Sequence, residues 1–345
     1  LIVVGGQEYF QVGDSEGEAS DVKFSTGSVT LAGDSANTVN VSNTLADAEG
    51  DFSGFTVSTG AGADTITGGE GSDTITSTGG ANVVVGADGN DNITTGSGGD
   101  SVTGGAGNDT IAVGAGADSV GGGAGNDTID LTENVSAADV VEFSAVVGTS
   151  SDSAEVGAAS GFIDSGQDNI TTFTAGTDTI EITATNVESF AHGTDTDLGE
   201  GDATAEGDDS NSYATNVGLI NMDGETADEF GDADDILINF NSPTTTMTEA
   251  LFEAALKYDL TGTATADTMT GGGLADALSG GDGADTISGG AGADTITGGA
   301  GADNITLGTG SDRVVYADTG ANNGVDTVTD FEAGATGDVL DFTNF

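Results

Sequence analysis

Residues 59–130 read TGAGADTIT, GGEGSDTIT, STGGANVVV, GADGNDNIT, TGSGGDSVT, GGAGNDTIA, VGAGADSVG and GGAGNDTID, eight nonapeptides with no residue inserted or lost between them. Residues 262–315 give six more: GTATADTMT, GGGLADALS, GGDGADTIS, GGAGADTIT, GGAGADNIT and LGTGSDRVV. A fixed short period marks a solenoid, in which each repeat is one rung of a stack. Positions one to five are rich in Gly, which supplies the positive φ of a sharp turn. Position six is Asp or Asn. Positions seven to nine read as a short strand with an apolar centre: Ile66, Ile75, Val84, Ile93, Val102, Ile111, Val120 and Ile129, then Met269, Leu278, Ile287, Ile296, Ile305 and Val314. Side chains alternate along a strand, so one residue per strand is expected to point inward. Two nonapeptides make one 18-residue turn of a parallel β-roll. The expected fold is all-β: two parallel β-roll arrays with a thin core between two sheets, β-rich capping segments and one short helix.

Alternate turns then fall on opposite edges of the roll. One edge of the first array carries Asp64, Asn82, Asp100 and Asp118, and the other Asp73, Asp91, Asp109 and Asp127. In the second array the edges carry Asp267, Asp285 and Asp303, and Asp276, Asp294 and Asp312. Strands stack about 4.8 Å apart, and two carboxylates at that spacing repel by about 3 kcal/mol at an effective dielectric near 20. Such a ladder needs cations between its rungs. Oxygen-only ligands on flexible turns suit Ca²⁺, which takes six to eight oxygens at about 2.3–2.6 Å. Mg²⁺ keeps its waters, and zinc or copper would lack nitrogen and sulfur ligands. The expected ligands are these fourteen side chains with backbone from Gly60, Gly62, Gly69, Gly71, Gly105, Gly107, Gly123, Gly125, Gly281, Gly283, Gly290, Gly292, Gly299 and Gly301. If each ion takes turns n and n+2, the arrays hold about ten full sites. Asn82 removes a charge from its rung, so sites there are expected to be weaker. Thr263, Thr265 and Leu274 stand where Gly is usual, so the second array is expected to begin less regularly.

Composition agrees with a cation-dependent chain. Of 345 residues, 59 are Asp or Glu and 3 are Lys or Arg, a formal net charge of -56. With only 35% hydrophobic and 5% aromatic residues, such a chain is disordered unless a cation completes its fold. Lys23, Lys257 and Arg313 cannot neutralise phosphates, which excludes a nucleic-acid binder and disfavours anionic membranes. No apolar run approaches the roughly 20 residues of a membrane span. With no Cys, disulfides, thiolate metal sites and Cys nucleophiles are excluded. The start, Leu1-Ile-Val-Val, lacks the basic n-region and long h-region of a signal peptide and reads as a fragment of something longer.

The arrays resemble the RTX family of calcium-dependent proteins secreted by bacterial type I systems, directly over 126 of 345 residues. The resemblance implies one-step export with an uncleaved C-terminal signal, the type I secretion machinery as a partner, and a chain that folds only outside the cell. Residues 324–342, GVDTVTDFEAGATGDVLDF, resemble the segment that follows RTX arrays. There Val325, Val328, Phe331, Val339, Leu340 and Phe342 are expected to close the open end of the roll. Asp326, Asp330 and Asp338 either add calcium ligands or belong to an acidic β-hairpin cap without metal.

The chain thus divides into a β-rich lead-in (1–58), the first roll (59–130), a capping and insert region (131–261), the second roll (262–315) and a C-terminal cap resembling a secretion signal (316–345). In the lead-in, Ser28–Leu31 and Thr38–Val41 read as strands. The stretch GQDNITTFTAGTDTIEI at 166–182 echoes the tail, so array plus cap reads as a module present twice. The acidic stretch 195–209 is a solvated loop or a further calcium site; it does not fit an EF-hand, because the third ligand, Gly and Glu do not follow Asp195 and Asp197. Residues 234–240 read as a strand, broken by Pro243. Thr246 and Glu249 form a capping box before EALFEAALKY, the expected helix, with Leu251, Ala254, Ala255 and Tyr258 on one face.

Catalytic patterns are weak. Gly13, Ser15 and Gly17 fit G-x-S-x-G, but no helical period follows and His192 is the lone His, so the elbow geometry is not expected. Carboxylate pairs abound, yet a glycosidase cleft needs aromatics and the chain has no Trp and four Tyr. No enzymatic activity is expected. Richness in Thr, Ala, Gly and Val with few Lys and no Cys is similar to surface-layer proteins exported by type I systems, which implies a lattice of copies of itself on the bacterial cell surface. The alternatives are the C-terminal RTX region of a secreted protease or lipase, or of a large RTX adhesin.

Overall fold

The structure, a computed structural model, describes residues 2–4, 7–9, 27–31, 36–40, 54–132, 137–146, 167–174, 176–187, 189–190, 217–220, 236–241, 251–252, 254–317, 324–334 and 337–344. These fall into two compact units, residues 1–141 with 168–173, and residues 142–167 with 174–345. The G-x-S-x-G stretch, Lys23, His192, the 195–209 stretch and the Thr246–Glu249 box lie outside the described residues.

The first unit is a roll of two parallel sheets. One runs Thr38–Asn40, Thr65–Glu70, Val83–Asp88, Ser101–Ala106 and Ser119–Ala124, and then pairs with Val140 and Val141. The other runs Gly27–Leu31, Phe55–Thr59, Thr74–Thr76, Asn92–Thr94, Thr110–Ala112, Thr128–Asp130 and Gln167–Thr171. Inside the array every pairing is offset by one 18-residue turn: Ile66 lies beside Val84, Val84 beside Val102, and Ile75 beside Ile93. The expected lead-in strands are rungs of this roll. An antiparallel pair, Ile2–Val4 with Gln7–Tyr9, also lies in this unit.

In the second unit one sheet runs Thr179–Val187, Leu256–Gly262, Ala277–Asp282, Thr295–Ala300, Arg313–Ala317 and Val339–Asn344. The other runs Ser189–Phe190, Thr268–Thr270, Thr286–Ser288, Asn304–Thr306 and Thr327–Thr329. Ile236–Asn241, the strand expected before Pro243, pairs antiparallel with Val217–Ile220. Lys257 and Glu181 sit opposite each other on the first parallel pair and form an ion pair of 2.7 Å.

Burial departs from the sequence reading in one respect that matters. Three residues per nonapeptide face inward, not one. Position eight is buried as expected, from Ile66 through Ile129 and from Met269 through Val314. Positions six and one are buried too, because the alternation of the strand continues through Asp on one side and the first Gly on the other. In one sheet of each roll the strands run six residues, into the glycines of the next repeat.

Two further expectations change. Helix is present at Leu251 and Phe252, but Leu256–Gly262 is a strand, so Tyr258 does not share a helical face with Leu251. Leu256, Tyr258 and Leu260 alternate as well as they fit a helical period, and parallel pairing with Thr179–Val187 decides between the two. The tail is not a hairpin: Thr327–Thr329 and Val339–Asn344 each add a parallel strand to the roll. Val325, Phe331, Val339, Leu340 and Phe342 are exposed rather than closing a core. The inward register place on the last strand, beside Val314, belongs to Leu340, which stays 39% exposed, while Asp341 beside Val315 is buried and pairs with Arg313.

Candidate metal centre

The ladder at position six is held by a repeated pair of hydrogen bonds. The backbone N–H of each ladder residue donates to the side-chain Oδ1 one turn later: Asp73 to Asp91, Asp91 to Asp109 and Asp109 to Asp127, each at 2.7 Å. The residue after the later Asp donates its N–H back to the earlier carbonyl, as Thr128 does to Asp109 at 2.8 Å. The opposite edge repeats this through Asp64, Asn82, Asp100 and Asp118 at 2.8–2.9 Å. The second roll does so through Asp267, Asp285 and Asp303, and through Asp276, Asp294 and Asp312.

Oδ1 is therefore a structural acceptor, and Oδ2 is left over. In Asp64, Asp73, Asp91, Asp100, Asp109, Asp127, Asp285, Asp294, Asp303 and Asp312 this oxygen is buried and receives no hydrogen bond. A buried carboxylate oxygen without a donor is costly. Burial pushes Asp91 up to about 7, against the Asp73 N–H that lowers it and with the charges of Asp109 and Asp73 adding to the rise. Burial likewise raises Asp127 and Asp294 to about 7, and Asp73, Asp276 and Asp285 to about 6. It also raises Asp109, Asp303 and Asp312.

Position one explains where that oxygen points. A Cβ at Gly86 would collide with both Asp91 Oδ2 and the carbonyl of Gly104 in the next turn. Gly68 faces Asp73 and the Gly86 carbonyl in the same way, and Gly104 faces Asp109 and the Gly122 carbonyl. Two oxygens thus converge on a cradle that only Gly leaves open. On the other edge position one is Thr59, Ser77, Thr95 and Val113, whose Cβ atoms fill that place. We refer to these as the glycine edge and the substituted edge. Among the described residues no three His, Asp or Glu side chains converge on one point. A cation here would complete its shell from turn carbonyls, which suits a hard ion that takes oxygen ligands.

Residues 58–93, 94–129, 259–285 and 279–314 match the RTX calcium-binding nonapeptide repeat, in four copies. Both rolls are built of RTX repeats. No curated protein matches the chain. RTX repeats bind calcium and are typical of secreted proteins, and among the described residues no helix is long and apolar enough to cross a membrane. The unpartnered Oδ2 atoms and the cradles fit that ion: Asp91 and Asp109 with their neighbouring turn carbonyls would hold it. Bound calcium supplies the positive charge that these buried carboxylates lack.

The expected glycines divide by role. Gly105 pairs with Gly123 and Gly281 with Gly299 in parallel strands, and Gly69 pairs with Ala87. Gly60, Gly290 and Gly301 already accept backbone N–H groups through their carbonyls. Gly107 and Gly125 hold φ of 134° and 136° in turns that stack directly on the turn before. Gly71 lies in that same stack; Gly62 meets Gly80 on the other edge, and Gly283 and Gly292 meet Gly301 and Gly310 in the second roll.

Asn82 does more than remove a charge. Its Nδ2 donates to the carbonyls of Gly79 (3.3 Å) and Gly80 (3.1 Å) and to Asp100 Oδ1 (2.9 Å). The amide thus takes the place of a cation beside turn carbonyls and the next carboxylate. At the start of the second roll Asp267 Oδ2 accepts from the Thr263 N–H, and Asp276 Oδ2 from the Gly272 N–H, so these first rungs are satisfied within their own turns. The sequence reading also missed what begins the ladders of Asp73 and Asp276. Phe55 and Tyr258 occupy position six one turn before Asp73 and Asp276, and their N–H groups donate to those carboxylates.

Proposed function

We propose that the protein is a non-catalytic calcium-dependent structural subunit of a bacterial surface layer, exported by a type I secretion system and joined to copies of itself at the cell surface. The observation that carries this reading is the run of buried, donor-less carboxylate oxygens in both rolls of a chain with net charge -56. Calcium then acts as part of the fold. Each site stabilises the folded state by about 2.7 kcal/mol when calcium stands 100-fold above its dissociation constant. Several such sites together would match the net stability of an ordinary domain. The same chain without calcium is an expanded polyanion, suited to threading through a channel. Electron microscopy of the purified chain at millimolar calcium tests the assembly: ordered two-dimensional arrays are expected, dispersing on chelation. A folded monomer under those conditions would remove the lattice role and favour a calcium-binding region of a secreted hydrolase or adhesin.

A further inference from the structure

We propose that Asp168 and Asp326, which lie outside the RTX repeats, each complete a further calcium site at the end of a roll. The matched repeats stop at residues 129 and 314, but the ladder does not. The Asp127 N–H donates to Asp168 Oδ1 at 2.8 Å across 41 residues, and the Asn169 N–H returns to the Asp127 carbonyl at 2.8 Å. The Asp303 N–H donates to Asp326 Oδ1 at 3.1 Å across 23 residues, and the Thr327 N–H returns to the Asp303 carbonyl at 2.7 Å. This is the two-bond pattern that joins Asp109 to Asp127 inside the array. The parallel strands after each Asp keep the same register, with Ile129 beside Ile170 and Ile305 beside Val328. Insertions of 23 residues (41 − 18) and 5 residues (23 − 18) thus deliver a carboxylate to the place that the residue 18 positions on holds inside the array.

An acidic side chain in register is not itself a site. Each is bonded to a rung whose own carboxylate has an oxygen left over. Asp127 and Asp303 are buried, 0% and 2% exposed, and Oδ2 of each has no donor. Each Oδ2 lies against a position-one glycine, Gly122 and Gly298, as in the cradles of the array, but without a next-turn carbonyl among the nearest atoms, so the last rung supplies its carboxylate in place of a further repeat. Asp139 and Asp338 extend the opposite ladders by the same bonds. There position one is Val113 and Leu307, which fill the cradle, so they are not included.

This inference rests on calcium binding by the rolls, and the test separates the two. Asn at 168 or 326 keeps the Oδ1 acceptor, as Asn82 does for the Asp64 N–H at 2.9 Å, and removes the charge. Bound calcium is counted by native mass spectrometry on the full chain and on Asp168→Asn, Asp326→Asn and Asp109→Asn. Far-UV circular dichroism checks that each variant is folded. A loss of about one ion in each of the three supports the proposal. Loss in Asp109→Asn alone overturns it while leaving the repeats as calcium sites. Loss in none overturns the calcium reading of the rolls, and the proposal with it. Should Asp168→Asn fail to fold, Asp326→Asn carries the same test in the other roll.

Discussion

The two edges of the first roll are built from the same nonapeptide and differ in chemistry. The glycine edge has Gly at position one, an unbroken Asp ladder, and a second ladder outside it, in which the Asn108 and Asn126 N–H groups donate to Asn90 and Asn108 Oδ1 at 2.8 Å. The substituted edge fills position one, places Ala or Gly where those Asn stand, and replaces one Asp by Asn82. One edge concentrates unpaired buried charge; the other answers part of it with its own amide. The difference shows that a repeat can keep its backbone while shifting the burden of neutralisation from an ion to a side chain.

Removing calcium breaks the comparison most severely. Chelation is expected to abolish the far-UV β signal, with hydrogen exchange rising first at the amides of Asp73, Asp91 and Asp109. Simultaneous exposure of Asp64 and Asn82 would show that the edges do not differ in their need for the ion. Acid acts next, in the metal-free protein. Folded Asp91, Asp127 and Asp73 sit at about 7, 7 and 6, above the ordinary 3.8. Their contribution to stability is therefore full below about 4 and lost as pH rises through 6 to 7. Without calcium the roll should gain β signal as pH falls from 8 to 5; a signal that falls on acidification contradicts this.

Substitutions sharpen the contrast. Gly104→Val drives a side chain into the Asp109 carboxylate and the Gly122 carbonyl, and is expected to cost about 3 kcal/mol or more. Thr95→Val, at the same position on the other edge where Val113 already stands, loses only the hydrogen bond to the Val113 carbonyl, about 1 kcal/mol. Chemical denaturation in calcium measures both, and equal losses would erase the distinction. Asn82→Asp should raise the bound calcium by about one ion, read by calorimetry. An unchanged ion count would mean that the filled position one, not the amide, keeps calcium from that edge. The smallest effect lies at Ala87, whose φ of 89° suits Gly. Ala87→Gly should stabilise by about 1 kcal/mol, seen as a shift in thermal midpoint.

The repeats made the roll legible, because position eight is apolar in every nonapeptide and the period is unbroken. Burial of the Asp itself was also present in the letters: D-T-I-T-G alternates through position one, but acidic residues read naturally as turn residues facing water. The EALFEAALKY stretch deceived because Leu256, Tyr258 and Leu260 satisfy two periods at once, and only a parallel neighbour selects between them. Asp168 and Asp326 could be matched to the tail and its echo but not placed, since insertions of irregular length hide the register that hydrogen bonds restore.

The offset of one full turn between bonded Asp residues has a bearing on how such a molecule changes length. Excising residues 86–103 would bring Asp73 beneath Asp109 and Asn82 beneath Asp118, each meeting an equivalent of its former neighbour. Excising nine, residues 86–94, would exchange the two flanks beyond the cut and set unlike turns against each other at the junction, Gly99 on Ser72 and Asn108 on Ala81. Gains and losses of copies are therefore tolerated in pairs, and the roll can be lengthened or shortened like a chain of double links.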